Sequence, residues 1–136
     1  MIVVDTGVLY AAADSDDTDH DRSARVLTDH TGELLVPTPV VVETSWLIES
    51  RLGPHAEAAF LNAVAAGELT RFDLSDKDWS RAAELVERYA DLGLGLVDAS
   101  VVVAAERSGI GTVATLNRRD FHVVRPQHRD AFDLIP

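Results

Sequence analysis

Four acidic residues lie in segments that otherwise have the composition of a protein core. Asp5 follows the run Ile-Val-Val, Glu43 follows three consecutive valines, Asp98 follows Leu-Gly-Leu-Val, and Asp120 lies just beyond the stretch Thr-Val-Ala-Thr-Leu. Carboxylates are almost never buried unless they are paired or bound to a cation. We therefore predict that these four side chains share one acidic pocket and that the pocket binds a metal ion.

The chemistry of such a pocket follows from the repulsion between its charges. Two carboxylates about 5 Å apart repel by roughly 3 kcal/mol at an effective dielectric constant near 20. Three or four of them in one place require protonation or a divalent cation. A set of oxygen ligands selects Mg²⁺ or Mn²⁺ over zinc, and such ions keep several waters and bind substrate phosphates. Asn117 is a possible further ligand through its amide oxygen.

Each acidic residue also has a purely structural interpretation. Asp5, Asp98 and Asp120 can each cap the N-terminus of a helix, and Asn117 can do so in place of Asp120. Glu43 is harder to explain as a surface residue, because residues three and four positions away in a helix share its face and are apolar here. The four positions taken together favour a site over four separate caps.

Short apolar runs alternate with helical segments along the chain. The predicted strands are residues 2–4, 34–36, 69–72, 112–115 and 132–135. The predicted helices are residues 7–13, 21–30, 38–52, 55–66, 75–90 and 98–109. Thr38 is the expected N-cap of its helix with Pro39 in the first turn, and Ser75 with Asp78 forms a weak capping box.

This alternation predicts an α/β fold. Strands that are continuous apolar runs are typical of a parallel sheet covered on both faces. We expect a three-layer α/β/α sandwich with a central, mostly parallel sheet of four to five strands, formed by residues 1–136 as a single domain. Sites in such sheets form beyond the carboxyl ends of the strands. Asp5 and residues 115–117 follow strands, so we expect them at one rim.

Composition limits the classes of function. The chain of 136 residues has no cysteine and a formal net charge of −11. The negative charge disfavours non-specific binding to nucleic acid and suits a protein that binds cations or a basic partner. No apolar run is long enough for a transmembrane helix, and no signal peptide is seen, so no membrane partner is expected. The lack of cysteine excludes disulfides and thiolate metal sites and fits a cytoplasmic protein.

Four motifs together resemble the PIN-domain family, most closely the VapC toxins of bacterial toxin–antitoxin pairs. They are Ile-Val-Val-Asp-Thr-Gly at residues 2–7, Pro-Val-Val-Val-Glu at 39–43, Leu-Val-Asp-Ala-Ser at 96–100 and Thr-Leu-Asn-Arg-Arg-Asp-Phe at 115–121. Each motif is weak alone, but the ordered set is specific and spans the whole chain. The resemblance implies a PIN-like fold.

The resemblance also implies an activity. Family members are Mg²⁺- or Mn²⁺-dependent endoribonucleases that cleave RNA phosphodiesters with a metal-activated water, and VapC proteins are the toxins of type II toxin–antitoxin systems. It implies a cytoplasmic protein that forms a homodimer, acts on RNA and is inhibited by a cognate antitoxin protein.

Particular residues acquire roles from the same resemblance. Asp5, Glu43 and Asp98 correspond to the three best-kept acids of the family, as catalytic residues and metal ligands. Many relatives have an acid where this chain has Asn117, whereas here the charge lies at Asp120. The fourth ligand and the number of metal ions therefore remain open.

Four residues near the acids are the expected substrate contacts. We expect the threonine hydroxyls to bind the scissile phosphate or its waters, and the arginines to contact phosphates. These residues are Thr6, Thr115, Arg118 and Arg119, with Arg51 and Arg107 as weaker candidates.

Two other classes of function remain as alternatives. One is a non-catalytic module that binds a partner protein through its acidic pocket, an interpretation that Asn117 keeps open. The other is a Mg²⁺-dependent phosphoacceptor or phosphatase domain, which needs a lysine after a late strand. The only lysine is Lys77, at the start of a predicted helix. This second alternative is therefore the weaker one.

Overall fold

The structure is a computed structural model that describes residues 1–136. The strands are β1 (Ile2–Val4), β2 (Leu34–Pro37), β3 (Thr70–Phe72), β4 (Thr112–Ala114) and β5 (Asp133–Ile135). The helices are α1 (Thr6–Ala13), α2 (His20–Asp29), α3 (Thr38–Leu52), α4 (Pro54–Ala65), α5 (Asp76–Arg88), α6 (Leu96–Ser108) and α7 (Arg118–Val123). A 3₁₀ turn (Ala90–Leu92) joins α5 to the segment before α6. None of the helices has the length and apolar character required to cross a membrane.

The five strands form one sheet in the order β3-β2-β1-β4-β5, and all four pairings are parallel. The direction of winding reverses between β1 and β4. Because parallel crossovers are right-handed, this reversal places helices on both faces of the sheet. The predicted three-layer α/β/α sandwich with a parallel sheet is confirmed, and the sheet has five strands.

The core forms where the apolar runs predicted it. Every residue of β1 and β2 is buried, and so is the continuous segment of α6 from Ala99 to Ala105. A helix that is apolar on all sides is stable only when it is surrounded by other elements. Helix α6 therefore lies centrally in the fold, and its N-terminal turn is close to the ends of the strands.

Two helix N-termini differ from the sequence-based prediction. Helix α6 begins at Leu96 with Gly95 as its N-cap, so Asp98 lies inside the first turn and does not cap the helix. Helix α3 has Pro37 at its N-cap position, and the hydroxyl of Thr38 donates to the carboxylate of Asp73. The predicted cap at Thr38 was wrong because its hydroxyl donates to Asp73, and the alternative that Asp98 caps its helix is excluded because the helix begins two residues earlier.

The capping box of α5 is confirmed. The backbone N–H of Asp78 donates to Oγ of Ser75, and the backbone N–H of Ser75 donates to Oδ2 of Asp78. Asp78 is also paired with Arg107 at 3.0 Å. This exchange satisfies two backbone groups that a helix N-terminus leaves without partners.

Candidate active site

The carboxyl ends of β1 and β4 meet at the point where the sheet reverses its winding. Val4 is in register with Ala114, so the residues that follow them, Asp5 and Thr115, are neighbours across the two strands. The hydroxyl of Thr115 donates to Oδ2 of Asp5 at 2.9 Å. The position agrees with the rule that open parallel sheets carry their sites at such a reversal.

Asp5 is buried in this crevice, with 6% of its surface exposed. Its Oδ1 accepts the backbone N–H of Thr6 at 2.8 Å, and it is the N-cap residue of α1. Burial raises the pKa of Asp5, and the negative charge of Glu43 raises it further, against the two hydrogen bonds from Thr6 and Thr115 that lower it. Asp5 therefore both caps a helix and contributes negative charge to the crevice.

The pKa of Asp98 is raised by burial and by all three of the other acids. Burial first, and then the charges of Asp5, Asp120 and Glu43 in that order, together raise the pKa of Asp98 to about 7. Asp5 lies directly after β1, Asp120 is in α7 and Glu43 is in α3. Carboxylates that are distant in sequence thus interact electrostatically with Asp98.

Asp120 is held at the start of α7 by its sequence neighbours. The side-chain amide Nδ2 of Asn117 donates to its Oδ2 at 2.9 Å, and Nε of Arg119 pairs with its Oδ1 at 3.2 Å. Asp120 is itself buried, whereas the side chain of Arg119 is 82% exposed. A buried carboxylate beside an exposed cation lies at the border between the crevice and solvent.

The arrangement of the acids is loose. No three of the chain's Asp, Glu and His side chains converge closely enough to surround an ion by themselves. The residues nevertheless fit a hard divalent cation, because all the donors are oxygens and Mg²⁺ usually keeps several of its waters. Burial and then three like charges raise the pKa of Asp98, and a bound cation would offset the repulsion among these charges.

The predicted substrate contacts have different environments. Thr115 is fully buried and its hydroxyl donates to Asp5. The guanidinium of Arg118 donates to the backbone carbonyls of Leu134 and Pro136. The substrate contacts of both residues stay predictions. The hydroxyl of Thr6 is enclosed and has no hydrogen-bond partner. Arg119 is exposed and pairs with Asp120 at the acidic crevice.

The two weaker arginine candidates have structural partners. The guanidinium of Arg51 lies 4.9 Å from the centre of the Tyr10 ring. That of Arg107 lies 4.2 Å from the centre of the Phe72 ring and pairs with Asp78. Both contacts occupy the cations away from the four carboxylates.

An apolar groove beside the crevice was missed by the sequence-based reasoning. Its volume is about 670 Å³, and it contains Glu43. Four exposed apolar side chains line it: Val42, Trp46, Trp79 and Leu96. The signal in the sequence was weak, because a tryptophan in an apolar helical stripe is expected in the core. Trp46 is instead 64% exposed.

Comparison with known proteins identifies the family of the chain. The sequence model of the PIN domain matches residues 2–125. The chain is 33% identical over 135 residues to ribonuclease VapC26 of Mycobacterium tuberculosis, an alignment that covers 99% of this chain and 100% of the relative. The chain therefore belongs to the PIN-domain family.

Solved structures share the fold. The VapC20 toxin of Mycobacterium tuberculosis, described as cleaving the sarcin–ricin loop, superposes with a TM-score of 0.77 at 21% identity, over 83% of this chain and 87% of that chain. VapBC2 of Rickettsia felis, bound to a DNA fragment from its promoter, superposes with a TM-score of 0.71 at 16% identity, with both chains fully covered. At these levels of sequence identity, the structural similarity shows a shared fold and nothing more specific.

Proposed function

We propose that this protein is a Mg²⁺- or Mn²⁺-dependent endoribonuclease and the toxin of a type II toxin–antitoxin pair, with residues 1–136 acting as one nuclease domain in the cytoplasm. The observation that carries the proposal is the group of carboxylates near the reversal point of the sheet, where burial and the charges of Asp5, Asp120 and Glu43 together raise the pKa of Asp98 to about 7. The name of the relative that is 33% identical over nearly the full length, ribonuclease VapC26, supports the choice of RNA.

The acidic residues and Arg119 would have different roles in hydrolysis. Asp5 and Asp98 would hold the cation, with Glu43 and Asp120 as the further carboxylates that would contribute to the site. When bound, a divalent cation supplies a water of lowered pKa and stabilises charge on the phosphate oxygens. Burial of Asp5 and Asp120 keeps bulk water away from these ligands. Arg119 offers a phosphate contact at the exposed border, as guanidinium groups do in other sites.

The primary test is cleavage of RNA by the purified protein. We expect cleavage with Mg²⁺ or Mn²⁺, none in excess EDTA, and a loss of at least about a hundredfold in kcat for Asp98→Asn. Asp91→Asn is the matched control, because Asp91 is an exposed carboxylate on the turn before α6. Cleavage that survives complete chelation would rule out the mechanism.

The apolar groove supports a partner protein. A groove lined by exposed tryptophan, valine and leucine has the composition of an interface core. Its charged lining residues, Glu43 and Asp73, are both acidic. A partner with apolar side chains and a cation at the Glu43 end complements both features. We assign this groove to the cognate antitoxin; solved structures of the same fold include toxin–antitoxin complexes.

The outer surface of α4 supports a homodimer. Helix α4 is rich in alanine and has no buried residue, and Leu61 on it is 45% exposed. A second copy packed against α3 and α4 would cover Leu61 and the neighbouring surface of Trp46. Sedimentation velocity at micromolar concentration tests this assignment, and a strict monomer would contradict it.

A further inference from the structure

A continuous path of hydrogen bonds links two of the four carboxylates. Thr115 Oγ1 donates to Oδ2 of Asp5 at 2.9 Å, and it accepts the backbone N–H of Asn117 at 2.9 Å. The side-chain Nδ2 of Asn117 then donates to Oδ2 of Asp120 at 2.9 Å. The path starts after β1 and ends in the first turn of α7, so it joins elements that are 115 residues apart in the chain.

The path uses the hydrogen-bonding capacity of the two intermediate residues. A hydroxyl has one hydrogen to donate, and that of Thr115 is given to Asp5 inside a fully buried site. The amide Nδ2 of Asn117 is directed at Asp120. Both donors are therefore already used and are not directed at a site where a phosphate would bind. Each hydrogen bond instead restrains Oδ2 of a carboxylate whose Oδ1 already has a partner, Thr6 N–H for Asp5 and Arg119 for Asp120.

We propose that Thr115 and Asn117 are positioning residues, which hold Asp5 and Asp120 at a constant separation and do not themselves contact the cation or the RNA. This inference rests on the proposed function for the presence of the cation. Groups that orient metal ligands typically contribute about 10- to 100-fold to metal affinity. The acids are loosely spaced even with this path in place, so the orientation of each carboxylate affects how well a cation is held.

The test is the affinity of the full chain for Mn²⁺, measured by electron paramagnetic resonance of free Mn²⁺. Thr115→Val removes the hydroxyl and keeps the branched shape, and we expect about a tenfold loss of affinity. Thr115→Ser keeps the hydroxyl and should restore most of it. Thr44→Val is the matched control, because the hydroxyl of Thr44 is equally buried and has no partner. Equal Mn²⁺ affinity in Thr115→Val and wild type would overturn the proposal.

Asn117 is tested by two substitutions. Asn117→Ala should weaken Mn²⁺ binding to a similar degree. Asn117→Asp should weaken it as well, because an acceptor then faces the acceptor of Asp120 where a donor is needed. Tighter Mn²⁺ binding by Asn117→Asp than by wild type would identify position 117 as a ligand and overturn its assignment as a positioning residue.

Kinetics separates positioning from substrate contact. At saturating Mn²⁺, we expect Thr115→Val to recover the kcat of the wild type with an unchanged KM for RNA. A KM that stays raised at saturating Mn²⁺ would show that Thr115 contacts RNA and would overturn the proposal. Should Thr115→Val fail to fold, as judged by circular dichroism, Thr115→Ala removes the same hydroxyl. Failure of the wild type to bind Mn²⁺ would instead refute the proposed function.

Discussion

Asp98 is the residue at which the electrostatics of the site can be measured directly. Its pKa rises from an ordinary value of 3.8 to about 7, first because of burial and then because of Asp5, Asp120 and Glu43. In the folded protein the carboxyl therefore binds a proton that it has already released in the unfolded chain at the same pH. When the folded state binds more protons than the unfolded state, the stability of the fold decreases as the pH rises.

The raised pKa of Asp98 makes the stability of the fold depend on pH. Stability due to Asp98 is fully present below its unfolded pKa and is lost as the pH rises through about 7. In EDTA, we expect the Tm of the wild type to fall between about pH 5 and pH 8, and Asp98→Asn to raise the Tm at the higher pH by roughly 3–6 °C. Differential scanning calorimetry measures both, and Asp91→Asn should follow the wild type. A lower Tm for Asp98→Asn would show that the charged carboxylate stabilises the fold.

The second residue-scale prediction distinguishes two adjacent arginines. Arg119 is exposed beside Asp120, whereas Arg118 donates to carbonyls of the C-terminal segment. We expect Arg119→Ala to raise the KM for RNA several-fold, more at low salt, because phosphate contacts are screened by ions. Arg118→Ala should leave the KM unchanged and cost about 1 kcal/mol of stability. A larger KM effect for Arg118→Ala would mean that the two guanidinium groups exchange roles when RNA binds.

At the scale of elements, α5 and α6 are joined by an ion pair that is largely enclosed. Nε and Nη2 of Arg81 donate to the two carboxylate oxygens of Glu106 at 3.0 Å, and the side chains are only 16% and 9% exposed. Glu106 also accepts the backbone N–H of Gln127. The pair therefore connects both helices with the segment after α7, and α6 carries Asp98.

Removing one partner of this pair should be costly. We expect Arg81→Ala to lower the free energy of unfolding by about 3 kcal/mol, because it leaves the carboxylate of Glu106 enclosed without its cation. Arg22→Ala is the matched control, since the Arg22–Asp19 pair lies on the surface of α2 and should contribute less than about 1 kcal/mol. Urea denaturation measures both variants. Equal losses would show that the enclosure of Arg81 has no energetic consequence.

At the scale of the whole molecule, the net negative charge and the apolar groove both favour binding of a basic partner protein. A net charge of −11 repels free RNA from most of the surface and attracts a basic partner. On the proposed assignment of the groove to an antitoxin, this partner would lie beside Glu43 and would block the crevice. Inhibition would then require no change within the crevice itself.

The groove assignment predicts a separation of activity from inhibition. We expect Trp79→Ala to cleave RNA like the wild type and to lose at least about tenfold in affinity for the antitoxin, because buried tryptophans dominate interface energetics. Val86→Ala is the control, since Val86 is an exposed apolar residue on the same helix outside the groove. Co-expression with the product of the adjacent reading frame, followed by calorimetry, measures the affinity. Unchanged affinity in Trp79→Ala would place the antitoxin elsewhere.

Much of the architecture was determined by the sequence alone. Short apolar runs separated by helical segments require parallel strands covered on both faces, because neither face of such a strand tolerates water. Acids at the ends of those runs must then lie at the rim of the sheet or next to it. This local reasoning predicted the fold and the neighbourhood of Asp5, Glu43, Asp98 and Asp120.

The tertiary structure decided which atoms remain free for chemistry. The pairing of β1 with β4 places Thr115 against Asp5 and uses its hydroxyl, and no local pattern specifies which strands become neighbours. Arg118 and Arg119 have the same side chain, but successive residues of a helix point about 100° apart, so the packing of α7 separates their roles. The exposure of Trp46 likewise depends on how α3, α5 and α6 meet. Periodicity indicates that a face is apolar, and only packing determines whether another element covers it.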